Sequence, residues 1–234
     1  MQMTGNTILV AGGTSGIGRA LAEAFHDRGN RVAGRRQELL DQVTADRPGM
    51  AGIAVDLNDA ASVDQLGYEV RARFPEMNVL IANAGISRFE DMSADTWDAT
   101  DAIDIVQTNI VGLLRVAAAL LPVLKSQPNA SFIATSSALA FVHSWLTSLR
   151  HQLRKIPVEV LELSPPYVKT VLTGSEQKTD PRAMPLPDYV AQVMCILEQG
   201  NHPRGDILLK RDHARRWAER DGQYDAIFTV FNPD

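Results

Sequence analysis

The chain has little cysteine, few aromatic residues and no long apolar run. Cys195 is the single cysteine among 234 residues, so no internal disulfide can form, and the composition fits a reducing cytoplasm. No stretch of 18 or more apolar residues occurs, and the N-terminus lacks the pattern of a signal peptide. A cytoplasmic location with no membrane partner is therefore expected. There is also no long basic run, and the net charge is -5, which speaks against nucleic acid as a partner. No internal repeat or low-complexity tract interrupts the chain, and no metal site is expected. Hydrophobic residues at 45% and charged residues at 22% are ordinary for a soluble globular protein. The length suits one domain, 1–234, with a sizeable core.

What the chain does have is concentrated near its start. Thr7-Ile8-Leu9-Val10-Ala11 leads into Gly12-Gly13-Thr14-Ser15-Gly16-Ile17-Gly18 and then into Arg19-Ala20-Leu21-Ala22-Glu23-Ala24-Phe25. This reads as a buried parallel strand, a tight turn and a helix. Glycines at 12, 16 and 18 let the backbone turn sharply and approach a ligand closely. The free N–H groups at the helix start then suit an anion, above all a pyrophosphate.

That glycine spacing resembles the cofactor loop of the short-chain dehydrogenase/reductase family, with Ala11 where the family more often has Thr. The resemblance implies a Rossmann-type doubly wound α/β fold with a seven-stranded parallel sheet. It also implies hydride transfer between a nicotinamide and a carbonyl or alcohol, with Thr14, Ser15 and Ile17 beside the glycines at the cofactor.

Further motifs follow in order. Arg31–34 is a short second strand, followed by Arg35 and Arg36 and a helix over 37–45. An acidic residue at the end of this strand binds the ribose hydroxyls of NAD, whereas a basic one suits the 2′-phosphate of NADP. The acid is absent and two arginines are present, so NADP is favoured over NAD. A third strand is expected over 52–55, closed by Asp56-Leu57. The resemblance places Asp56 against the adenine edge, and Asp56 is also suited to cap the next helix. A fourth strand over 78–82 ends in Asn83-Ala84-Gly85, a family signature in which Gly85 allows close approach and Asn83 ties neighbouring strands. A long helix over 103–121 carries Asn109, which the resemblance makes the asparagine of a locally distorted active-site helix.

The fifth strand, 130–135, leads to Ser136-Ser137, and Ser137 matches the family's catalytic serine. The sixth, 158–163, leads to Ser164-Pro165-Pro166-Tyr167-Val168-Lys169-Thr170, in which Val168 and Thr170 match the residues that grip the nicotinamide carboxamide. A polar, proline-containing lid over 173–187, a helix over 189–199, a seventh strand over 206–209 and one amphipathic helix over 214–231 complete the reading. The resemblance further implies a homo-oligomer and a small-molecule substrate.

One family element is missing. A Tyr-x-x-x-Lys pair is expected about a dozen residues after the serine, where the lysine cation lowers the tyrosine pKa from about 10. None of Tyr68, Tyr167, Tyr189 and Tyr224 has a lysine four residues on. The gap falls between Val142 and His143. Two readings are open. One is a true deletion, leaving an NADP-binding sensor or scaffold. The other is a stretch that the protein carries and this chain does not record. The second is preferred, because a true deletion builds a strand-to-helix connection from almost nothing.

Overall fold

The computed structural model describes residues 1–34, 50–88, 95–96, 98–136, 140–200, 202 and 204–231. Its centre is one parallel sheet of seven strands in the order β3-β2-β1-β4-β5-β6-β7. The strands are β1 (Thr7–Ala11), β2 (Arg31–Gly34), β3 (Ala51–Gly52), β4 (Val79–Ala82), β5 (Ala130–Thr135), β6 (Val158–Leu163) and β7 (Asp206–Ile207). Five of them run four to six residues, and the two edge strands are two-residue pieces.

The helices are α1 (Gly16–His26), α2 (Ala60–Arg73), α3 (Thr100–Lys125), α4 (Ala140–Leu153), α5 (Leu186–Gln199), α6 (His213–Trp217) and α7 (Tyr224–Phe231). Strand side chains alternate between two cores, as a period of two requires. Leu80, Ala82, Phe132, Ala134, Val158 and Val160 face α2, α3 and α4, whereas Val79, Ile81, Ile133, Leu161 and Leu163 face α1 and α5. Both faces are covered, which is why these strands read as nearly continuous apolar runs.

Helix α3 crosses the first of these layers. At 26 residues with a mean hydropathy of 1.6, it is long and apolar enough to cross a membrane, and 33% of its most apolar window is buried in the protein. Leu113, Val116, Ala117, Leu120 and Leu124 form its buried side. A π-helical turn interrupts it at Gln107–Val111.

Two expectations are corrected. The third strand stops at Gly52 rather than running to Val55. Among the described residues its last pairing with β2 is Gly34↔Gly52. The terminal helix is broken into α6 and α7, separated by a turn in which Gly222 has φ +67. Tyr224 and Phe228 on α7 are 54% and 53% exposed.

The chain passes from β5 to α4 through residues 136–139 alone, and α4 packs into the core through Val142, Leu146 and Leu153. Trp145 meets Phe132 edge-on with ring centroids 6.0 Å apart. The 234-residue chain has no Tyr-x-x-x-Lys. The helix expected over 37–45 lies outside the described residues.

Candidate cofactor and active site

Strand order reverses between β1 and β4, and in an open α/β sheet ligands bind beyond the carboxyl ends of the strands at such a point. The glycine turn follows β1 there, and Asn83-Ala84-Gly85 follows β4. The two segments touch. Gly12 has φ +87, and a Cβ on it would stand 2.6 Å from the Ala84 backbone nitrogen and Cα. A Cβ on Gly18 would lie 2.3 Å from the Gly12 carbonyl oxygen and 2.7 Å from Asn83 Nδ2. Both positions are closed to any side chain, because the obstructing atoms are largely backbone. Asn83 completes the joint: its N–H donates to the Ala11 carbonyl at 2.9 Å, and its Oδ1 accepts from the Thr135 hydroxyl at 2.8 Å. It thus links the ends of β1, β4 and β5.

The start of α1 is fit for an anion. Ser15 is its N-cap and makes no side-chain capping bond, and no acidic residue occupies the first turn. Thr14 is buried, Ser15 exposed and Ile17 half-buried. The N–H groups of the first turn and the helix dipole therefore favour a phosphate with no carboxylate competing for them.

On the other wall, Asn109 sits within the π-turn. Its Oδ1 accepts from the Ile86 N–H at 2.9 Å, and its Nδ2 donates to the Ile86 carbonyl at 2.8 Å. A Cβ on Gly85 would lie 3.2 Å from Asn109 Oδ1, so this glycine lets the strand end pass close to the helix. Val168 is buried, and the Thr170 methyl carbon would be 3.5 Å from a Cβ on Gly16. The segment after β6 therefore lies against the glycine turn.

The remaining expected positions divide. Asp56 is exposed, and its Oδ1 accepts from the Asn58 N–H at 3.0 Å. The cap of α2 is Asp59, whose carboxylate accepts from the Ala61 N–H, so the capping role expected of Asp56 falls three residues later. The Leu57 side chain is buried against α3, where it meets Gly112. Ser137, Arg35 and Arg36 lie outside the described residues.

Sequence reading missed a buried polar cluster beside the serine turn. Glu162, 1% exposed on β6, accepts from the Ser136 hydroxyl at 2.7 Å and from Arg216 Nη2 at 2.8 Å. Its other oxygen is 2.7 Å from His143 Nδ1 on α4. Arg216 also contacts His143 Nδ1 and lies 3.5 Å from Asp206. His143, Glu162 and Asp206 could together hold a cation, and the Arg216 guanidinium already occupies that place. The signal was available in the strand period. Glu162 is in phase with Val158 and Val160, which face the core, and a charge at such a position demands a buried partner.

Comparison with known proteins agrees with this geometry. A model of the short chain dehydrogenase family matches residues 6–181. An uncharacterized oxidoreductase, DltE, of Bacillus subtilis is 31% identical, with 99% of this chain and 98% of that protein aligned. The alignment runs to 252 positions against the 234 residues here, so it opens gaps on this side. A short-chain dehydrogenase from Streptomyces avermitilis superposes with a TM-score of 0.80 at 22% identity, covering 99% of this chain and 97% of that one. One from Burkholderia cenocepacia J2315, solved in complex with NADP, has a TM-score of 0.79 at 22% identity with both chains fully covered. The chain belongs to the short-chain dehydrogenase family. It is an oxidoreductase of the NAD(P)-dependent dehydrogenase/reductase class, and enzymes of this family act on small molecules.

Proposed function

We propose that this protein binds NADP in preference to NAD and transfers a hydride between the nicotinamide and a small carbonyl or alcohol substrate. The observation that carries the reading is the glycine turn closed against Asn83-Ala84 at the point of strand reversal, with an unobstructed helix start beside it. The preference for NADP rests on Arg35 and Arg36 and on the lack of an acid at the end of β2. The NADP complex of the Burkholderia protein supports it.

In this reading the cofactor, when bound, supplies the hydride that adds to the carbonyl carbon. Ser137 donates a hydrogen bond to the carbonyl oxygen and orients it. The N–H groups of the first turn of α1 hold the pyrophosphate, and Val168 and Thr170 hold the carboxamide. Asn109 fixes the Ile86 backbone and thereby the floor of the site. Reduction also needs a proton on the oxygen. A positioned acid is worth roughly 10²–10⁴ in rate. A protein that lacks the tyrosine and lysine would take this proton from solvent, with turnover slower by about that factor. The alternative, for a protein that lacks the pair, is a non-catalytic NADP-binding sensor or scaffold.

Titrating NADPH and NADH by fluorescence, then following absorbance with a panel of carbonyl compounds, tests both. Tight NADPH binding with slow turnover supports the oxidoreductase, binding without turnover supports the sensor, and no binding refutes both. The chain further assembles as a homo-oligomer through α3 and α4 in this reading, supported by Ile103 and Val106 on α3, 63% and 49% exposed. Light scattering of the eluted protein tests that part, and a monomer at micromolar concentration refutes it.

A further inference from the structure

We propose that Gln177 is a positioning residue for the nicotinamide end of the cofactor, acting through Val168 and Thr170 and selecting the amino group of the carboxamide. The proposal rests on the NADP reading above. Gln177 lies in a 3-10 turn, Ser175–Lys178, and is the one buried residue between Val171 and Thr179, at 5% exposure. A buried amide is costly unless its polar atoms are bonded, and here they are. Nε2 donates to the Val168 carbonyl at 2.8 Å. Oε1 accepts from the Thr170 hydroxyl at 3.2 Å and from the Thr173 N–H at 3.0 Å. The orientation of the amide is forced, since the reverse would set N–H against N–H at Thr173 and oxygen against oxygen at Val168.

These bonds set the polarity of Thr170. A hydroxyl has one hydrogen and two acceptor sites. The hydrogen goes to Gln177, and one acceptor site takes the Leu172 N–H at 3.3 Å. Toward a ligand, Thr170 is therefore an acceptor only. A carboxamide offers it an N–H, whereas a methyl ketone in the same place offers nothing. The Thr170 methyl lies against Gly16 in the cofactor turn, so the polarised oxygen is carried by a segment already docked on that turn.

The test compares three ligands by titration calorimetry: NADP+, its 3-acetylpyridine analogue, and adenosine 2′,5′-bisphosphate, which has no nicotinamide. The variant Gln177→Met keeps the length of the side chain and removes its bonds. Wild type is expected to bind NADP+ about tenfold more tightly than the analogue, the worth of roughly one hydrogen bond. In the variant that preference disappears through weaker NADP+ binding, while the bisphosphate binds as before. Should Gln177→Met fold poorly, Thr170→Val is expected to abolish the same preference. A variant that keeps the wild-type preference overturns the proposal. So does an equal loss for all three ligands, which is the mark of general loosening. Wild type that binds none of them overturns the NADP reading and this proposal with it.

Discussion

Replacing Glu162 by alanine tests the reading of the buried cluster. The carboxylate is fully enclosed and holds Ser136 from the serine turn, His143 from α4 and Arg216 from the C-terminal region. Removing it leaves the Arg216 guanidinium, 9% exposed, without its main partner. Breaking a buried pair in this way costs about 3–5 kcal/mol. Asp206, 3.5 Å from Arg216, retains part of the attraction, so the lower end, about 3 kcal/mol, is expected. A domain is stable by only about 5–15 kcal/mol, so the loss is large. With a urea m-value toward the upper end of about 1–3 kcal/mol/M, the midpoint falls by roughly 1–2 M.

Glu162→Gln separates charge from shape. Its amide oxygen still accepts from Ser136 and Arg216, so the expected loss is about 1–3 kcal/mol, the difference attached to a charged hydrogen bond. The assay is urea unfolding followed by tryptophan fluorescence, with Trp145 on α4 as a reporter in the adjoining core. A midpoint for Glu162→Ala within 0.3 M of wild type (about 0.6–0.9 kcal/mol at that m-value) would refute the reasoning, because it would mean that the guanidinium finds equal solvation elsewhere.

Other outcomes follow from the same structure. Gly12→Ala should abolish nucleotide binding, since the left-handed backbone costs about 1–2 kcal/mol and the new Cβ meets the Ala84 backbone at 2.6 Å; retained NADPH affinity would show that the turn can relax. Arg35→Ala should weaken NADP more than NAD, and equal loss for both removes the phosphate role. Ser137→Ala should abolish turnover while cofactor titration stays unchanged; unaltered turnover takes Ser137 out of the mechanism. Burial raises the Asp212 carboxyl above its usual 3.8, against the lowering effect of Arg215, Arg211 and His213. The folded state therefore holds this proton more tightly, and its contribution to stability is present below pH 3.8 and lost as pH rises through the folded pKa. Asp212→Asn, which mimics the protonated group, should accordingly stabilise the protein at neutral pH, with the gain shrinking on acidification. A pH-independent difference in unfolding midpoint contradicts this.

Most of the sheet could be read along the chain because its signals are local. β5 and β6 fall where the apolar runs place them, at Ala130–Thr135 and Val158–Leu163. Gly12, Gly18, Asn83 and Ala84 come together as their motifs imply, each pinned by contacts that admit no other arrangement. What failed was non-local. β3 is described only where it pairs with β2, at Ala51 and Gly52, and the period of residues 52–55 carries no record of a distant partner. The break between α6 and α7 was hidden by an apolar spacing that continues across it, while the chain turns at Gly222.

By itself, then, the order of residues determined the parallel sheet, the cofactor turn and the absence of a tyrosine–lysine pair, since each depends on neighbours a few positions apart. Only the tertiary structure decided that Glu162 is shared by three distant elements. It alone shows Gln177 fixing the polarity of Thr170. The reason is physical. A buried polar group must find its partner wherever the fold brings one, and for Glu162 and Arg216 that partner lies 54 positions away.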